Sequence, residues 1–184
     1  MTSPGRLGAA LLLAVVQTAP AASAEPFDPE DTSRNPRAEN HGAGGVAVLF
    51  PAGVVGGWAE GRPHWSVALG GGAGVFVWDP PEGTAAVASF WVDVALLPVP
   101  FLVTPELAFG LVRVVGDGAD SLADDRAWTF IDGDRHRGTV YGRVGARIDG
   151  VANWTASIGV GLLPPASLAG PPLVLPSVRF GGRF

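Results

Sequence analysis

The sequence predicts an all-β fold, an antiparallel β-barrel of about eight strands connected as an up-and-down meander. Glycine (27 residues) and proline (17) are abundant, which disfavours a helical protein. From about residue 43 onward, short segments of alternating hydrophobicity are separated by turn-forming clusters. Charged residues make up only 16% of the chain, and hydrophobic residues make up 47%. This combination is typical of transmembrane strands, which turn an apolar side chain outward at every second position.

Three parts of the chain are predicted from composition. Residues 1–24 have the features of a secretory signal peptide: Arg6, an apolar core over 7–16, and small residues at 22–24. Residues 25–42 are polar and proline-containing, which predicts a flexible periplasmic lead-in. Residues 43–184 form the predicted barrel domain. The chain has no cysteine, which excludes disulfides and thiolate metal sites.

The predicted strands follow from the alternation and from the turn clusters between them. They are 44–58 with an interruption at Pro51, 64–78, 85–97, 101–115, 127–131, 138–149, 151–163 and 173–184. The short 127–131 segment is needed to reach eight. If it belongs to a long loop instead, the first segment must divide at Pro51 to keep the strand number even.

The two faces of the predicted strands differ in size as well as polarity. One carries Val, Leu, Ile and Phe; the other carries Gly, Ser, Thr and Ala with a few charges. We expect the apolar face to point outward, because the interior of eight strands is only wide enough for side chains. A buried charge is costly unless it is paired, so the interior charges should form a plug. The predicted network comprises Asp93, Glu106, Arg143, Arg147, Arg179 and Tyr141.

Two alternatives remain open at this point. The charged interior could be a narrow pore that conducts ions. The chain could also form a secreted, soluble, lipocalin-like barrel whose apolar face lines a small-molecule cavity.

Tryptophan residues lie mostly near the ends of predicted strands. Trp and Tyr favour the boundary between an apolar phase and water. We therefore expect Trp58, Trp65, Trp78 and Trp154 to belong to an interface girdle. Trp91 is an exception, because its position in the alternation places it inside.

The end of the chain carries the most specific pattern. Phe184, Phe180 and Val178 alternate with Arg183, Gly181 and Arg179. This segment resembles the closing strand of small bacterial outer-membrane β-barrel proteins of the OmpA/OmpX-like class. The resemblance implies export to a Gram-negative outer membrane, contact with its lipid, and recognition of the three apolar residues by periplasmic chaperones and the barrel-assembly machinery. It also implies a structural role, with loops 116–137 and 164–172 displayed to a ligand that the sequence leaves open.

Side chains that could carry chemistry are sparse. His41, His64 and His136 lack the spacing of metal ligands, and the acidic loop 116–126 does not follow a calcium-binding pattern. A few outer-membrane barrels are enzymes that use His and Ser, and the candidates here are His64 or His136 with Ser66 or Ser121. Ser66 lies two residues from His64 on the same strand face. We expect no catalytic residues, no metal and no cofactor. A net charge of −5 disfavours nucleic acid as a partner.

Overall fold

The computed structural model describes residues 40–78, 85–117, 119, 131–133, 135–150, 153–165 and 171–184. The predicted signal peptide, residues 25–39 of the lead-in and residues 127–130 lie outside this part of the chain. None of the described residues belongs to a helix with the length and apolarity needed to span a membrane.

Nine strands are present in the described residues. They are β1 (Gly42–Leu49), β2 (Gly53–His64), β3 (Val67–Trp78), β4 (Ala85–Leu96), β5 (Val103–Val115), β6 (Ile131–Gly133), β7 (His136–Asp149), β8 (Trp154–Leu163) and β9 (Leu173–Arg183).

These strands form a closed antiparallel barrel. Neighbours along the chain pair from β1 to β5 and from β7 to β9, and β5 pairs directly with β7. β1 pairs with β9, which closes the sheet. β6 has only three residues and pairs with the first three residues of β7, His136 to Gly138. The predicted all-β, eight-stranded, up-and-down barrel is therefore confirmed.

No strand lies between β5 and β7 in the barrel, so the eighth strand is not supplied by the 127–131 segment, whose residues 127–130 lie outside the described part of the chain. β5 pairs with β7 continuously from Val103 opposite Ile148 to Val115 opposite His136, which leaves no place for a strand between them. The eighth strand comes instead from dividing the 44–58 segment at Phe50–Ala52. Pro51 has no N–H to donate to a ladder, and the flanking Leu49 and Gly53 adopt positive φ angles of 65° and 84°. The chain therefore reverses here, and the second of the two alternatives is correct.

The barrel has two distinct ends. One, the terminal end, carries Gly42, Phe184 and the connections 65–66, 97–102 and 150–153. The other, the loop end, carries the connections 50–52, 79–84 and 164–172 and the long segment after Val115. At the terminal end the seam is closed by two backbone bonds: Gly42 N–H donates to Phe184 O at 2.9 Å, and Phe184 N–H donates to Gly42 O at 3.0 Å.

The apolar face points outward. Leu107, Val144 and Ile158 are 41%, 38% and 62% exposed, whereas Arg143 is 1% exposed. Alternate residues along each strand point to opposite faces of a sheet, so this contrast extends around the barrel. The predicted orientation of the two faces is confirmed, and the interior is where polar side chains meet.

Candidate functional site

Among the described residues, nine charged side chains are buried inside the barrel, all in the half nearer the terminal end. The carboxylates are Glu60, Asp93, Glu106 and Asp149; the guanidinium groups are those of Arg62, Arg143, Arg147, Arg179 and Arg183. This position follows from strand direction. On β7, for example, the inward side chains from the loop end to the terminal end are Thr139, Tyr141, Arg143, Arg147 and Asp149. We call this set the charged layer.

The group closest to the terminal end is built around Glu60 on β2. Arg147 Nη1 donates to Glu60 Oε2 at 2.9 Å, and Arg147 Nη2 lies 2.7 Å from Glu60 Oε1. Arg62 Nε donates to Glu60 Oε1 at 2.8 Å. Arg147 Nε also donates to Asp149 Oδ1 at 3.2 Å. One carboxylate thus pairs with two guanidinium groups, and Arg147 Nη1 supplies the hydrogen bond while Arg147 Nη2 contributes its charge at short range.

Next to it, Glu106 on β5 forms a closed triangle with Arg143 and Ser157. Arg143 Nη2 donates to Glu106 Oε1 at 2.6 Å, and Arg143 Nη1 donates to Ser157 Oγ at 2.9 Å. Ser157 Oγ–H in turn donates to Glu106 Oε2 at 2.5 Å. Both carboxylate oxygens are therefore satisfied, which offsets the cost of burying the charge. The triangle joins β5, β7 and β8.

The third group lies at the boundary with the loop half and spans the barrel. Arg179 Nη2 donates to Asp93 Oδ2 at 2.5 Å, and the Tyr141 hydroxyl donates to the same oxygen at 2.8 Å. These side chains come from β9, β4 and β7, so the contacts cross the interior. The Arg179 guanidinium also lies 6.0 Å from the centre of the Trp58 ring, within cation–π range.

The loop half of the interior is mainly apolar, with the buried hydroxyl groups of Ser89 and Thr139 bonded to backbone carbonyls. We call it the apolar layer; its buried members include Phe50, Ala52, Trp91, Val112 and Leu163, with Val87, Val114 and Ala119 beyond them. Glycines make room for its rings. A Cβ on Gly72 would lie 2.3 Å from Trp91 Cζ2. A Cβ on Gly161 would fall within the space of the Phe50 ring. The small residues on the inner face therefore accommodate the large ones opposite.

All six residues of the predicted network lie inside. Asp93 contacts Tyr141 and Arg179, and Glu106 contacts Arg143, whereas Arg147 contacts Glu60 and Asp149, which the prediction did not include. Four charged residues were missing from that prediction. Glu60 and Arg62 lie beyond the predicted end of the first strand at Trp58, and Asp149 was the last residue of the predicted 138–149 strand, at its hairpin with Gly150. Arg183 was placed on the inner face by its alternation but not in the network. Correct strand ends would have identified the first two.

Trp58 is not an interface residue, which corrects the sequence-based expectation. It is 6% exposed and lies inside, where its Nε1–H donates to Val46 O at 3.1 Å. The reversal at Phe50–Ala52 starts a new strand and thereby sets which face Trp58 occupies. Trp91 is buried as expected.

The other predicted girdle members lie at strand ends. Trp154 begins β8, is 36% exposed and stacks against Phe180 with ring centres 6.4 Å apart. Trp65 lies in the β2–β3 connection at the same end and is half-buried. Trp78 ends β3, and its side chain is outside the described part of the structure. The interface role of Trp65, Trp78 and Trp154 stays a prediction.

The residues of the predicted terminal signal lie on the outer face of β9 and beside it. Phe180 and Phe184 are 59% and 75% exposed, and Val178 is half-buried. A Cβ added to Gly42 would lie only 2.6 Å from Phe184 Cε2, so the Phe184 ring fills the space beside Gly42. The ring thus covers the seam between the first and last strands.

The remaining candidate groups make local contacts. Ser66 Oγ lies 2.7 Å from His64 Nδ1 across the β2–β3 connection, and no described carboxylate contacts His64. In the acidic loop, Asp117 Oδ1 lies 3.0 Å from Arg135 Nε, with both side chains largely exposed. Among the described residues, no group of three or more potential ligands could hold a metal ion.

Comparison of the chain with protein-family models, with curated proteins and with solved structures gave no match. The arrangement of its own side chains is therefore the basis on which a function is inferred.

Proposed function

We propose that this protein is an integral β-barrel of a bacterial outer membrane, a structural element that displays its loop end and is closed along its axis by side chains. The observation that carries the proposal is the reversed distribution of polarity. Charged side chains fill the terminal half of the interior, while large apolar side chains such as Phe90, Phe109 and Ile158 are half or more exposed around the outside. Such a surface is stable against hydrocarbon but unfavourable against water.

The closed interior favours a structural role over conduction. The charged layer and the apolar layer both fill the narrow interior, and ions meet either paired charges or hydrocarbon along the axis. A soluble lipocalin-like barrel is disfavoured for a different reason. Its cavity would be lined by the apolar face, but here that face is outside.

The proposed orientation places the terminal end toward the periplasm and the loop end outside. Outer-membrane barrels have short periplasmic turns and longer external loops, and the long connection after Val115 leaves the loop end. Val178, Phe180 and Phe184 would be the residues recognised by the periplasmic chaperones and the barrel-assembly machinery. A Phe184→Ala variant should then reach the outer-membrane fraction in smaller amount, while Phe101→Ala, an exposed phenylalanine in the β4–β5 connection, should not change it.

A pair of arginine substitutions at different depths tests the membrane location. Ile158 lies near the middle of β8, and Val174 is the second residue of β9; both side chains face outward. In a membrane, Ile158→Arg should lower the free energy of unfolding by ~2–4 kcal/mol and Val174→Arg by only ~0–1 kcal/mol. The measurement is urea unfolding of the protein in lipid vesicles. Equal, near-zero effects, or a folded protein recovered only from the soluble fraction, would contradict the proposal.

A further inference from the structure

A groove of about 590 Å³ lies on the outer face of the barrel, over Gly142. This volume is within the range of small-molecule sites. The groove is bordered by side chains of β5, β7 and β8 and by the connection that follows β8, namely Phe109, Leu111, Val140, Leu162, Pro164 and Pro172. All of these are hydrocarbon. The Tyr141 hydroxyl is turned away, into its bond with Asp93.

The sequence explains why the depression is there. Gly142 faces outward without a side chain, and a Cβ at this position would have no atom nearer than 4.0 Å. The β7–β8 ladder ends at the pair Gly142–Leu162. Further toward the loop end, β7 would need a donor from Pro164, which has no N–H. In the barrel wall, β7 therefore loses its pairing with β8 directly beside Gly142, which has no side chain to fill the space.

The strand position of Arg113 places it on the loop-end side of this groove. Arg113 is the next outward-facing residue of β5 after Leu111, about 7 Å further along the strand. Its cross-strand neighbours are Phe90 and Gly138. Arg113 is exposed, and within the described residues it has no carboxylate partner, in contrast to Arg135, which pairs with Asp117. A cation on an apolar surface attracts an anion from its surroundings.

We infer that the groove over Gly142 binds one acyl chain of an anionic phospholipid whose phosphate pairs with Arg113. The inference rests on the proposed membrane location. The hydrocarbon lining accepts a chain and offers nothing to a head group, while Arg113 lies where the head group of a lipid inserted from the loop side would be. The charge of Arg113 thus favours an anionic lipid, and the groove over Gly142 determines where the acyl chain of that lipid lies.

The test measures lipid that stays bound. The full-length protein is purified from membranes in non-ionic detergent, offered equal amounts of phosphatidylglycerol and phosphatidylcholine with identical chains, and analysed by native mass spectrometry. We expect one retained lipid per barrel, with phosphatidylglycerol preferred. Arg113→Gln should lower that preference about fivefold, the effect of one basic side chain near a lipid surface.

Two glycine substitutions separate the groove from the rest of the apolar surface. Gly142→Leu fills the groove without meeting backbone and should lower lipid occupancy about tenfold. Gly57→Leu is the matched control, because Gly57 is also outward-facing and open, with its nearest atom at 3.9 Å. It should leave occupancy unchanged.

A difference in gel migration between unheated and heated samples reports whether each variant is a folded membrane barrel. If the wild-type protein shows this difference but retains both lipids equally, or if Gly142→Leu binds as the wild type does, the inference is wrong and the proposed function stands. Selective retention of a phosphorylated glycolipid instead of phosphatidylglycerol would overturn the assigned lipid. A protein without membrane association would overturn both proposals.

Discussion

In the terminal half of the interior, guanidinium and carboxylate groups hold one another in place, whereas in the loop half hydrocarbon and aromatic side chains fill the same width of barrel. The two halves of the interior are stabilised by different interactions. The charged layer requires complete pairing, because one missing partner leaves a buried charge. The apolar layer requires volume, because a missing side chain leaves a cavity whose cost depends on how far the neighbours relax. The same barrel should therefore respond differently to truncation at its two ends.

The largest effect is expected from Glu106→Ala in the charged layer. The substitution leaves Arg143 buried without a carboxylate, and Ser157 loses its acceptor. The free energy of unfolding, measured by urea titration in lipid vesicles, should fall by ~3–5 kcal/mol. Asp117→Ala is the control. It removes the exposed ion pair with Arg135, so its effect should be small. Equal losses for the two variants would show that burial of the charges contributes little.

A smaller loss is expected from Leu163→Ala in the apolar layer. Leu163 is buried against the Phe50 cluster, and truncation should lower the free energy of unfolding by about 3 kcal/mol. Leu162→Ala, on the outer face of the same strand, should cost less, because its side chain is only partly covered. A larger loss at Leu162 would contradict the inward packing of Leu163.

The boundary between the layers is tested by Tyr141→Phe. The ring stays in contact with Phe50 at a centre-to-centre distance of 5.0 Å, but the hydrogen bond to Asp93 is lost. Since Asp93 keeps Arg179, the expected loss is about 1.5 kcal/mol, the lower value for a bond to a charged group. Thr139→Val, which removes a neutral hydroxyl bond to Val140 O on the same strand, should cost less. A cost for Tyr141→Phe no greater than that of Thr139→Val would show that the Asp93 carboxylate does not depend on the hydroxyl.

The smallest effect is expected on conductance. Each layer fills the interior by itself, so wild-type protein, Glu106→Ala and Leu163→Ala should all give no current steps in planar lipid bilayers. Discrete openings in only one of the variants would identify its layer as the seal. Openings in the wild type that change on reversing the charge of Arg143 would instead support the narrow pore.

The sequence by itself determined the fold class, the alternation that separates the two faces, and which face is outside. These features are encoded locally: side chains alternate with a period of two, and most large apolar residues, though not Trp91, Val112 or Leu163, lie on one side of their strand. The six residues of the predicted network were identified from the same alternation, before any contact among them was known.

Only the tertiary structure decided which charges meet and where each strand begins. Glu60 and Arg147 are 87 residues apart in the chain and come into contact because the sheet closes on itself. The reversal at Phe50–Ala52 moved Trp58 inside and made the 127–131 segment unnecessary as a strand. Pro51 gave the reversal only as one of two alternatives, and a shift of one residue after a turn exchanges the two faces of the strand that follows. Long-range closure and the choice between those two alternatives are therefore what the linear pattern could not supply.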